Sequence, residues 1–149
     1  MNWTIDDKEL PSFLRLKVEG KPTREDYVSA WQTIIHHRGW KPGTAVLIDA
    51  TGRERLGSEV PAIVEALGDF FGSHSAELGP TCVASITRKE QGYIYKRMLE
   101  YSAKLRGADV TLQNFVDEQS AIDWLKRFCD QREKFLNTQQ SGDAGFQNF

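Results

Sequence analysis

AVLIDATGRERLGSEVPAIVEALGDFF, Ala45 to Phe71, is the stretch that decides the fold. Ala45 to Ile48 is solidly apolar and ends at Asp49, the pattern of a buried strand. A polar loop bounded by Gly52 and Gly57 follows. From Ser58 the residues Val60, Ile63, Val64, Leu67 and Phe71 mark one face of a helix, with Pro61 in the first turn, where its missing N–H costs nothing. A strand, a loop and a helix opening at a hydroxyl form an α/β unit. Such units gather helix N–H groups and strand-end carboxylates in one place.

Outward from this unit the alternation repeats. Asn2 to Asp6 reads as a short first strand, and Phe13 to Glu19 as a half-buried one with Leu14, Leu16 and Val18 on one face. Thr23 is an N-cap with Asp26 at N3, opening a helix that carries Tyr27, Trp31, Ile34 and Ile35 and ends by Gly39. Thr81 to Thr87 is a third long strand, alternating Cys82, Ala84 and Ile86 against Thr81, Val83, Ser85 and Thr87. Thr87 to Glu90 fits a capping box before a helix whose stripe is Ile94, Met98, Tyr101 and Leu105, closed by Gly107. Val110 to Phe115 is the last strand. Asp117 caps a final helix with Ala121, Ile122, Leu125, Phe128 and Cys129 inward.

This order predicts a mostly parallel five-stranded sheet with its first strand antiparallel at the edge. Three of the four long strands alternate, so the four main helices are expected on one face, a sheet covered on both sides being apolar throughout its strands. One domain over residues 1–136 is expected. The tail, 137–149, is low in apolar residues and is expected to be disordered.

Composition narrows the partners. In 149 residues, 40% are hydrophobic and 27% charged, with a net charge of −2, which gives no basic excess for neutralising nucleic-acid phosphates. No apolar run approaches the ~18 residues of a membrane span. The polar start, MNWTIDDKELPS, and two cysteines without CxxC spacing, Cys82 and Cys129, point to a cytoplasmic location.

Candidate residues cluster in the opening stretch. Asp49, Thr51, Arg53, Arg55 and Ser58 lie on one loop, and two arginines beside a helix N-terminus suit an anion or phosphate. Ser58 reads either as a plain N-cap or as a phosphoacceptor, and Asp49 as a loop-ordering carboxylate or a ligand contact. The glycine-bounded loop is not a nucleotide P-loop, because Ser58 stands where the phosphate-reaching Lys belongs. Tyr93, Tyr95, Met98 and Trp31 are candidates for an apolar pocket. Adjacent His36 and His37 point ~100° apart on a helix and do not chelate one ion together. No metal, no cofactor and no catalytic constellation is expected.

The chain resembles STAS-like domains, and more closely the SpoIIAA-like group of small bacterial proteins. The resemblance rests on WTID at 3–6, TREDYVSAW at 23–31, WKPGTAVLIDAT at 40–51, ELGPTCVASI at 77–86, YKRMLEY at 95–101 and AIDWL at 121–125. It covers roughly residues 2 to 130. It implies the one-domain α/β fold already read from the pattern. In anti-sigma-factor antagonists the Ser opening the equivalent helix is phosphorylated within Asp-Ser-Ser-Gly. Here Gly57-Ser58-Glu59-Val60 stands there, without the Asp. The resemblance implies a non-enzymatic regulatory or protein-interaction module, with a protein partner or self-association. Analogy to the related lipid-carrying CRAL-TRIO fold gives the alternative, a carrier of a small apolar or anionic ligand.

Overall fold

The computed structural model describes residues 2–55, 57–88 and 93–128, apart from the side chains of residues 93–95. The expected domain end near residue 136, the tail, Cys129 and the Lys89–Glu90 end of the expected capping box lie outside them.

Five strands form one sheet in the order of the sequence: β1 (Trp3–Asp6), β2 (Leu14–Gly20), β3 (Val46–Arg53), β4 (Thr81–Ile86) and β5 (Val110–Phe115). β1 pairs antiparallel with β2 and every later pair is parallel, as the crossover helices require. Those helices are α1 (Arg24–Ile35), α2 (Val60–Ser73), the single-turn α3 (Ser75–Leu78) and α4 (Tyr93–Leu105). A last helix, α5, runs from 118 through the described residues to 128.

α1 opens as its sequence demands. Thr23 Oγ1 accepts the N–H of Asp26 at 3.1 Å, and the Asp26 carboxylate accepts the N–H of Thr23 at 2.8 Å. Asn2 Nδ2 donates to the same carboxylate at 3.0 Å, tying the chain start to α1. Asp117 opens α5 in the expected way, accepting the N–H of Ser120 at 2.8 Å. The Thr87 N–H donates to the Phe115 carbonyl at 2.9 Å, extending the sheet by one bond.

Two apolar clusters divide the sheet. On one face Leu14, Leu16, Val18, Val46, Ile48, Val83, Val110 and Leu112 pack under α1 to α4. Trp31 and Phe71 meet edge to face here, ring centroids 5.0 Å apart. On the other face Phe13, Ala45, Leu47, Cys82, Ala84 and Ile86 pack with Ala121 and Leu125 of α5.

The expectation that all four main helices share one face therefore fails for the last of them. Four helices, the short α3 included, lie on one face, and α5 crosses to the other. The reason is in β4. Cys82, Ala84 and Ile86 are buried, and so is Val83 between them, so the alternation there is between two covered faces. Phe13, on the face that carries Arg15, Lys17 and Glu19 of β2, is sealed by α5. Arg15 pairs with Glu118 at the start of α5.

Candidate functional site

β3 is longer than its apolar core. It runs on to Arg53, beside Gly20 of β2, and the ladder shifts register between Lys17 and Glu19. Lys17 faces Asp49 while Glu19 faces Gly52, so β3 carries one extra residue there, a β-bulge. Asp49 Oδ1 accepts the Thr51 N–H at 3.1 Å and its hydroxyl at 2.6 Å. The carboxylate is engaged in ordering the bulge it sits beside.

Arg53, read from the sequence as suited to an anion, donates from Nη1 to the Tyr27 hydroxyl at 3.0 Å. Tyr27 is 4% exposed, in the first turn of α1. Burial raises its phenol above the usual value, and the Arg53 charge partly offsets this. The pair locks the end of β3 onto α1. Arg55 and Ser58 are exposed beyond it.

Ser58 does not cap α2. The N-cap is Glu59, already in helical conformation, and no side chain caps this end. Counted from Ser58, N3 is Pro61, which has no N–H, so one of the two donors that a cap there uses is missing. The chain enters instead through a turn in which the Val60 N–H donates to the Gly57 carbonyl at 3.2 Å. N–H groups of Glu59 and Gly57 hold the Glu59 carboxyl below its usual value, while Glu59 Oε1 is buried without a hydrogen-bond partner. Asn114 Nδ2, near the carboxyl end of β5, is a second buried polar atom without one. Nothing in the pattern of the sequence singled out either residue.

The proposed apolar pocket is not assembled among the described residues. Trp31 is 2% exposed inside the core, whereas Met98 is 36% exposed on the outside of α4. The side chains of Tyr93 and Tyr95 lie outside the described residues.

α4 holds the larger surprise. The described part of its expected core stripe is turned outward: Tyr101 and Leu105 are each 67% exposed. The helix buries Leu99, Ser102 and Ala103 instead. Small residues are required there because α4 lies against Gly68 and Gly72 of α2. A Cβ on Gly72 would stand 2.6 Å from Arg106 Cβ, and one on Gly68 3.0 Å from Ser102 Cβ. Arg106 closes the seam, donating to Asp69 at 2.6 Å and to Ser102 Oγ at 2.5 Å.

On the far side of α2, an open groove of ≈ 410 Å³ separates it from α1. Val28, Ala62 and Ala66 contribute apolar lining, and Arg24, Glu25, Glu65 and Asp69 contribute charged groups, Arg24 pairing with Glu25 and Asp69 with Arg106. Among the described residues no group of three His, Cys, Asp or Glu side chains is placed to hold a metal ion. No described helix is long and apolar enough to cross a membrane.

The arrangement defines a class by its architecture, the SpoIIAA-like fold. A similar solved structure is that of an uncharacterised DUF3478 protein from Shewanella loihica, described with a SpoIIAA-like fold. It is 23% identical, covering 83% of this chain and 91% of its own, with a TM-score of 0.54. That likeness shows the fold. No family model and no curated protein matches the chain.

Proposed function

We propose that this chain is a non-enzymatic regulatory module of the STAS-like type that acts by protein contact through its helical layer. The observation that carries the reading is the outward stripe Met98, Tyr101 and Leu105 on α4. These side chains stand at i, i+3 and i+7, so they form one continuous apolar strip rather than scattered exposed groups. The alternative of a carrier for an apolar ligand finds less support, because the groove between α1 and α2 is open and edged by charged side chains of both signs.

The loop before α2 supports a switch within this reading. Ser58 is exposed in a turn and makes no cap, so its hydroxyl is not engaged in holding the helix, and Arg55 is exposed nearby. A phosphate on Ser58 would lie at the N-terminus of α2, where the helix dipole favours negative charge.

A photocrosslinking residue placed at position 101 in the producing cell tests the contact. A discrete protein adduct, of this chain or another, supports it. Absence of any protein adduct, with a lipid-sized mass retained in native mass spectrometry, contradicts it in favour of the carrier. Phosphopeptide mapping of the same material reads Ser58 directly.

A further inference from the structure

We infer that the Lys96–Gln113 pair guards the free edge of β5, and that opening it lets the β5 of a second copy add antiparallel to the sheet. The inference is independent of the contact proposed for α4.

β5 ends the sheet, and no described strand pairs with its outer side. On the inner side the N–H groups of Thr81 and Thr87 donate to the carbonyls of Asp109 and Phe115, at 2.9 Å each. A parallel ladder alternates, so the N–H and C=O groups of Val110, Leu112 and Asn114 point away from β4, along the edge. The strand reads VTLQNF, six residues with no charge, proline or glycine. Asp109 and Asp117 put charge only beyond its ends. Uncharged segments of this length and type are the ones that pair edge to edge. β1, at the opposite edge, is four residues long and runs into Asp6, Asp7 and Lys8. A short strand ending in charges offers less of a template.

The protection of β5 comes from α4. Leu112 belongs to the cluster under α1 to α4, whereas Ala84, the register partner of Gln113, belongs to the cluster under α5. Gln113 is thus rooted on the α5 face. Lys96 is rooted on the opposite face, one turn before the buried Leu99 of α4. Yet Lys96 Nζ donates to Gln113 Oε1 at 3.2 Å. With β4 on the inner side, the path between the two runs round the outer edge, past the middle of the outward-pointing backbone row. Glu100 Oε1, 3.5 Å from the same ammonium, holds it from the next turn of α4. The Lys96 side chain is 18% exposed, so its stem lies along the protein rather than out in water. A strand arriving at this edge has to displace the lysine or bury its charge, and both are costly.

Once the lysine is gone, the edge fits a second copy's β5. Two identical strands pair antiparallel about a two-fold axis. The contact then closes at a dimer, with one sheet running through both copies.

The test uses the purified full chain, Lys96→Ala, and Lys96→Ala combined with Thr111→Lys, which returns a charge to the same edge from β5 itself. Circular dichroism verifies folding. Sedimentation velocity measures association, and hydrogen exchange at the Leu112 and Asn114 amides reads whether the edge is covered. Lys96→Ala is expected to associate at least about tenfold more strongly than wild type, with slowed exchange at both amides in the associated state. The double variant is expected to return to wild-type behaviour. If Lys96→Ala does not fold, Lys96→Met, which keeps most of the stem and removes the charge, takes its place with the same expected pattern. Association unchanged from wild type up to about 100 μM, or association without slowed exchange at these two amides, overturns the guard. So does a double variant that associates as Lys96→Ala does, or a wild type whose two amides are already slowed by association.

Discussion

At the scale of single residues, two hydroxyls at helix openings have opposite roles. Thr23 carries a reciprocal cap with Asp26, and Ser58 carries none. Thr23→Ala is expected to cost about 1 kcal/mol of unfolding free energy, and Ser58→Ala to stay within about 0.5 kcal/mol of wild type, both read from urea midpoints. Asp26 adds a pH dependence. The backbone hydrogen bond from Thr23, helped by Asn2, holds its carboxyl below the usual value. A depressed carboxylate stabilises the fold above its unfolded pKa of ~4, and the contribution is lost as pH falls through the lower folded value. The stability gap between wild type and Asp26→Asn should therefore be open at neutral pH and close in acid. A gap that widens in acid would reverse the assignment. The Ser58 result was only half legible in the sequence, since Pro61 three residues on removes one of the two donors a cap uses and leaves the Val60 N–H, which the turn takes up. The Arg53–Tyr27 bond was not, because it joins residues 26 apart through the placement of β3 against α1.

At the scale of elements, the seam between α2 and α4 decides which way α4 faces. Spacing alone favours burial of Met98, Tyr101 and Leu105, the more apolar stripe. Packing selects the opposite face because Gly68 and Gly72 bring the helices too close for large side chains. Periodicity reports which residues share a face and is silent on what the neighbouring helix leaves room for. Ala in place of Gly ordinarily gains about 1 kcal/mol in a helix interior. At Gly72 the added methyl meets Arg106 Cβ at 2.6 Å and its backbone oxygen at 3.0 Å, so Gly72→Ala is expected to destabilise, by about 1–3 kcal/mol. Gly68→Ala should be milder, because its nearest obstacle is the movable Ser102 hydroxyl. A urea midpoint for Gly72→Ala at or above wild type would contradict the close seam.

At the scale of the whole molecule, strand order, direction and the antiparallel edge followed from the β-α alternation, because parallel neighbours joined by right-handed crossovers leave few other arrangements. The far-face helix did not follow. Its signals were present in Phe13 and in Val83, flanked by Cys82, Ala84 and Ile86, but the register that aligns them exists only once the strands pair. If α5 seals that face, Leu125→Ala should cost about 2–5 kcal/mol in a urea titration, as for a core leucine. A loss below 1 kcal/mol would mean that the second cluster contributes little. The central claim is that the helical layer, and not the loop before α2, is where this molecule meets its partner. The measurement that tests it most directly is photocrosslinking in the producing cell from position 101 on α4 beside the same residue placed at position 58. The account predicts a discrete protein adduct from position 101 at least tenfold more abundant than from position 58; adduct from position 58 alone would contradict it and move the contact to the loop.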